Sequence, residues 1–167
     1  MAGGLAGEVL LLRLPELTLL RSFPVPGAAL CLAVRQGWLY GACAVGEEEI
    51  HCLLCRLSLR TGRLETLQAF PGLPGALAAG PGDALYLGAT ERLYRFAGEP
   101  PRLAVSRSGF GLPRRILPLG DRVVVADPVL EQALTLDAGL RHEPRLLYRG
   151  EIQDACITFP GAGHPSP

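Results

Sequence analysis

The chain has 167 residues, enough for one domain; apolar residues make up 49% and charged residues 19%, which excludes a polar, disordered polymer. Sixteen basic residues balance sixteen acidic ones and no segment gathers the arginines into a patch, so nothing draws the chain to a phosphate backbone and a nucleic-acid role is not supported. Lys and Asn are both absent, which removes a Schiff-base or P-loop lysine and an asparagine ligand or oxyanion donor.

The first fourteen residues lack a basic n-region, and their only apolar run, Val9–Leu12, is short, so no signal peptide is expected. The stretch from Thr66 to Gly82 is uncharged, but Pro71, Pro74 and Pro81 break it, and it cannot form a membrane helix. These features predict a cytoplasmic protein with reduced thiols, and no membrane partner.

In chain order, Glu8–Leu14 and Leu17–Phe23 read as strands, followed by a Pro24–Gly27 corner, a strand over Ala28–Val34, a turn at Arg35-Gln36-Gly37 and a strand over Trp38–Ala44. The next unit repeats the plan: His51–Leu59, the turn Arg60-Thr61-Gly62, Arg63–Phe70, a corner at Pro71–Gly75, Ala76–Ala79, the turn Gly80–Asp83 and Ala84–Leu87. Gly and Asp supply the backbone conformations such turns need, and Pro presets the corners. A third unit runs through Arg92–Phe96, Arg102–Arg107, a corner at Gly109–Pro113, Ile116–Leu119, the turn Gly120-Asp121 and Arg122–Ala126. A fourth offers Gln132–Asp137, Arg145–Arg149 and Asp154–Phe159. No segment carries sustained helical periodicity with caps, so the chain is read as all-β.

Equivalent positions Leu14, Leu57, Phe96 and Leu136 recur at intervals of 43, 39 and 40 residues. Four short strands per period of this length predict β-propeller-type blades of four antiparallel strands. Counted from the inside of each blade outwards, the chain starts with two outer strands, continues through three full sets and ends near an innermost one. The expected architecture is therefore an incomplete ring of about three full blades with partial blades at both ends, spanning 8–159, with flexible termini at 1–7 and 160–167. Innermost strands should be the most buried, with Leu30, Leu32, Leu77, Ile116 and Ile157 in the core. A charge at Leu85 or Val124 should block soluble expression by placing an unpaired ion between packed sheets.

Leu57-Ser58-Leu59-Arg60-Thr61-Gly62, Gly80-Pro81-Gly82-Asp83-Ala84-Leu85-Tyr86 and Leu136-Asp137 resemble the YVTN-type propeller repeat, in which an Ile-Asp-like strand end precedes Thr-Gly and a Pro-Asp-Gly turn leads into a Tyr-Val strand. The match spans nearly the whole chain, although Pro15 and Ser58 stand where the family has Asp and its Asn is missing throughout. The resemblance implies seven blades in a closed ring, of which this chain supplies about half. It therefore also implies a homo-dimer or membership of a longer propeller. Through the lactonase-type members it implies an alternative activity, hydrolysis at a divalent cation bound in the channel by acidic side chains and Asn.

Candidate chemistry is sparse. Cys31, Cys43 and Cys52 fall on consecutive strands and could share a face as a metal site, although small buried hydrophobes are the simpler reading and a fourth ligand is not in view. Cys52 and Cys55 lie three apart on one strand, so they should face opposite ways. Glu47-Glu48-Glu49 reads as a solvated hairpin tip, and Asp83, Asp121, Asp127, Asp137 and Asp154 as turn-stabilising residues. His51, His142 and His164 are too dispersed to suggest a catalytic set. Trp38, Tyr40 and Tyr86 are expected to pack between blades. Arg114 and Arg115, next to an innermost strand, are the candidate ligand-binding pair for an anion or acidic partner. No catalytic residue and no cofactor are assigned. The expected function is a non-catalytic binding or scaffold module that presents loops to a protein or small ligand.

Overall fold

The computed structural model of the protein describes residues 7–152. All regular structure among these residues is β, in fourteen strands. The first pair is β1 (Gly7–Arg13) and β2 (Thr18–Val25). The next four are β3 (Ala28–Arg35), β4 (Trp38–Val45), β5 (His51–Ser58) and β6 (Leu64–Pro71). Then follow β7 (Pro74–Ala79), β8 (Leu85–Ala89), β9 (Arg92–Ala97) and β10 (Arg102–Ser108). The last set is β11 (Arg115–Leu119), β12 (Arg122–Asp127), β13 (Gln132–Asp137) and β14 (Arg145–Arg149).

Each set forms its own antiparallel sheet with strands in sequence order, so the described residues make one two-stranded and three four-stranded sheets, none closed on itself. No helix among the described residues is long and apolar enough to cross a membrane. The strand expected over Asp154–Phe159, with Ile157, lies outside the described residues.

Short hairpins enforce this sequential order. Between β3 and β4 the reversal falls on Gln36 and Gly37, both at positive φ, 50° and 78°. That conformation matches the right-handed twist of the flanking strands and is the one glycine adopts at least cost.

Consecutive sheets stack face to face. The alternation of each strand divides its side chains between the preceding and the following sheet. Val25, Cys43 and Cys55 join β1–β2 to β3–β6, with Val9 and Leu64 packed around them. Tyr40, Ala42, Cys52, Leu54 and Phe70 meet Leu85, Leu87, Tyr94 and Phe96 between β3–β6 and β7–β10. Phe70 sits 4.5 Å from the Tyr94 ring and 5.6 Å from Phe96, the latter edge-on. Tyr86, Leu93 and Phe110 meet Ile116, Val123, Val125, Leu134 and Leu136 between β7–β10 and β11–β14.

Two expectations about burial are corrected. Leu30 and Leu32 of β3 are each 47% exposed, and Val34 beside them is exposed too. The reason is the size of the first sheet: with only two strands it meets β3 near its start, at Ala29, and leaves Leu30, Leu32 and Val34 uncovered. Ile116 is buried as expected, whereas Leu77 is only partly so. The deepest positions lie instead on the second and third strands of each four-stranded sheet, such as Tyr40, Leu54, Leu85, Leu93, Val123 and Val125. Val124 is half-buried, because it points away from the preceding sheet on a face that no other sheet among the described residues covers. Its replacement by Asp therefore lacks the penalty that Leu85, fully buried, would impose.

Candidate functional site

Among the described residues, a large polar assembly sits where the tip of β9–β10 meets the face of β3–β6. Register places Tyr40 of β4 directly opposite Arg56 of β5, both on the face turned toward the next sheet. Arg35 arrives from the end of β3. The β9–β10 turn brings Gly98 and Glu99 down onto these three side chains. Arg35 Nη2 donates to Gly98 O at 3.1 Å and to Glu99 Oε2 at 3.2 Å, and Arg35 Nη1 donates to the Asp83 carbonyl. Tyr40 Oη donates to Glu99 Oε2 at 3.3 Å.

Arg56 donates to Glu99 Oε1 through Nη1, and its Nε and Nη2 grip Glu65 Oε2 at 2.8 and 2.7 Å. The Arg56 guanidinium also stacks over Trp38, 4.0 Å from the ring centroid. Both arginines are buried, while Glu99 keeps 42% of its side chain in water. Burial disfavours the Arg56 cation, but its hydrogen bonds to Glu65, Tyr40 and Glu99 overcome this and raise its pKa. The assembly is a socket of two cations and a phenol that holds one carboxylate from the adjacent sheet.

A related seat is found one sheet on. Tyr86 of β8 lies opposite Arg95 of β9 in the same relation. Tyr86 Oη donates to Ala138 O at 2.7 Å, across to the β13–β14 turn. Burial raises the Tyr86 pKa, against the opposing influence of Arg95, so the phenol stays a donor. Arg107 of β10 reinforces the contact, donating from Nε to Leu140 O at 2.9 Å and from Nη1 to Glu143 Oε1 at 3.0 Å.

The thiols fall on two faces. Cys31 and Cys52 pack on the side toward β7–β10, and Cys43 and Cys55 on the side toward β1–β2. Cys31 is paired with Ala42, so the next residue, Cys43, necessarily points the other way. Cys52 and Cys55 face opposite ways, as their spacing predicts. Burial pushes the Cys31 thiol up to about 11, with Arg114 pulling it back, and pushes Cys52 up to about 12. Cys43 and Cys55 are 3.9 Å apart through sulfur. This contact lowers the Cys43 pKa and, together with burial, raises that of Cys55, whose Sγ also donates to Gly41 O at 3.4 Å. Among the described residues no three His, Cys, Asp or Glu side chains converge to hold a metal ion.

Arg114 and Arg115 are both exposed just before and at the start of β11. Arg114 is fixed by its backbone, whose N–H donates to Ala126 O at 3.0 Å, and its charge is felt at Cys31. They are not joined to the Arg35–Arg56 assembly. Glu47, Glu48 and Glu49 are exposed at the β4–β5 hairpin tip.

Asp83, Asp127 and Asp137 serve backbone groups. Asp127 is fully buried and accepts from the N–H groups of Gly111, Leu112 and Leu130 at 2.6, 3.1 and 3.3 Å. Asp83 Oδ2 accepts from Gly98 N at 2.5 Å. Asp137 accepts from the backbone of Arg141 and His142 and lies 3.1 Å from His142 Nδ1. Burial pushes the Asp137 carboxyl up, but these bonds outweigh it and hold it down at about 2. Asp154 and His164 lie outside the described residues.

Sequence reading missed Arg35, Arg56, Glu65 and Glu99. The available signal was the recurrence of Tyr followed one strand later by Arg, at Tyr40–Arg56 and Tyr86–Arg95. No protein-family model matches the chain, and no curated protein matches it in sequence.

Proposed function

We propose that the chain is a non-catalytic binding or scaffold module of β-propeller type, each four-stranded sheet acting as one blade and offering its turns and open faces to a protein or small ligand. One observation carries this reading: the buried charged side chains are held by carboxylates and backbone groups that join strands and turns, with only Arg35 Nε and Arg95 Nε left without a hydrogen-bond partner among the described residues. Arg35 and Arg56 are engaged by Glu99 and Glu65, Arg107 by Glu143, and Asp127 by three backbone N–H groups. Groups so engaged build interfaces and are poorly placed to exchange protons with a substrate. We further place the module in a reducing cytoplasm, in keeping with the free thiols of Cys43 and Cys55 standing side by side.

The test is thermal melting with and without millimolar calcium or zinc, together with a panel of lactones and esters. The expected outcome is no turnover and no metal-dependent rise in melting temperature. A ligand bound only by the native state raises its stability. A stoichiometric rise accompanied by hydrolysis would establish a metal hydrolase instead.

A further inference from the structure

The three contacts between consecutive sheets follow one rule. The turn between the third and fourth strands of a sheet is seated on the face of the sheet before it. Glu99 of the β9–β10 turn enters the Tyr40–Arg56 socket, and the β13–β14 turn lands on Tyr86 and Arg107. The β5–β6 turn lies on β2, where a Cβ at Gly62 would stand 3.4 Å from both Phe23 and Arg21. Where charge is used, the sign is constant: an arginine waits on the earlier sheet and a glutamate arrives in the later turn, as in Arg56–Glu99 and Arg107–Glu143.

Among the described residues, two faces have no sheet against them. The leading face of β1–β2, turned away from β3–β6, exposes Leu10, Leu12 and Leu19, and its turn carries exposed Glu16 between Leu14 and Leu17. A run of exposed leucines such as this is rare on a protein that works alone. The trailing face of β11–β14, turned away from β7–β10, carries Val124 opposite Thr135, the register that Tyr40–Arg56 and Tyr86–Arg95 occupy in the other sheets. Beside Thr135, in direct register on β14, stands exposed Arg145.

A cleft of about 180 Å³ opens there, lined by Arg122, Thr135 and Arg145 together with Asp121, Asp137 and Glu143. Two of those carboxylates are already committed, Asp137 to the backbone of its own turn and Glu143 to Arg107. The lining mixes both signs of charge, and within it Arg145, exposed on β14, is the guanidinium that an incoming carboxylate would meet.

We propose that a second copy of this chain covers these surfaces head to tail, its β1–β2 sheet stacking on β11–β14 and its Glu16 meeting Arg145. The partner is self because the chain carries both halves of the contact, with opposite charges to pair across it. This proposal rests on the stacked-module reading above and names its partner. A heterologous contact of this kind joins two different patches, so each can be altered separately.

The experiment is sedimentation velocity over a hundred-fold concentration range, on the wild type, Glu16→Arg, Arg145→Glu and an equimolar mixture of the two variants. Both sites are exposed, and circular dichroism checks that each variant is folded. The wild type should associate and each single variant should dissociate at least tenfold more readily, because each juxtaposes like charges. Mixing them should restore association, since position 16 of either variant then meets an opposite charge at position 145 of the other. A wild type that stays monomeric throughout, or association indifferent to both substitutions, overturns the proposal. The module reading would survive that result, because it is judged by metal binding and hydrolysis.

Discussion

Asp127 is a buried carboxylate whose described partners are three backbone N–H groups, two of them from the loop that leads into β11. Hydrogen bonds to an ionised group contribute more than neutral ones, and a buried donor left without an acceptor costs about 1 to 3 kcal/mol. Asp127→Ala strands these donors and is expected to cost about 3 kcal/mol in a denaturant melt, whereas Glu48→Ala at the exposed hairpin tip should stay within about 0.5 kcal/mol. Asp137 makes a different prediction. Its carboxyl is held below its unfolded value, so the stability it contributes is fully present above about pH 4 and lost as the pH falls through about 2. The melting temperatures of wild type and Asp137→Asn should therefore differ at pH 6 and converge toward pH 2. A gap that persisted unchanged at pH 2 would show that the carboxylate's charge is not what holds the turn.

At the scale of elements, the alternation of apolar residues and the placement of Gly, Pro and Asp located the strands well enough that many ends differ from expectation by only a residue or two, as at His51–Ser58 and Arg122–Asp127. Those signals are local, and they act through the backbone of the residues that carry them. Burial of β3 was not legible, because Leu30 and Leu32 alternate like core residues and lose their cover only through the two-stranded size of a different sheet. The Arg56–Glu99 contact was equally hidden, since it joins residues 43 apart through a turn that must first be positioned by two folded sheets. The same distinction separates two substitutions. Leu85→Asp places a charge at a fully buried site between sheets and is expected to abolish soluble expression, while Val124→Asp, on the trailing face, should yield folded protein. Equal loss of both would mean that the trailing face is covered within a single chain.

Among the described residues, four sheets stack in chain order and each interior face is closed by the sheet beside it. The ends differ: the leucines of β1–β2 are exposed, and Val124 and Thr135 of β11–β14, half-buried and buried, face away from β7–β10 with no described sheet against them. Exposed β-edges and apolar faces of this kind drive association. Removing the internal peg should loosen one contact without unstacking the rest, so Glu99→Ala is expected to cost about 2 kcal/mol, moderated by the water that Glu99 already meets. The arrangement is tested most directly by amide hydrogen exchange of the wild type at micromolar and at hundred-micromolar concentration. Added protection at high concentration should be confined to β1–β2, their turn, and β11–β14, with β7–β10 unchanged. Protection gained in β7–β10, or none gained anywhere, would contradict an open stack completed by its own kind.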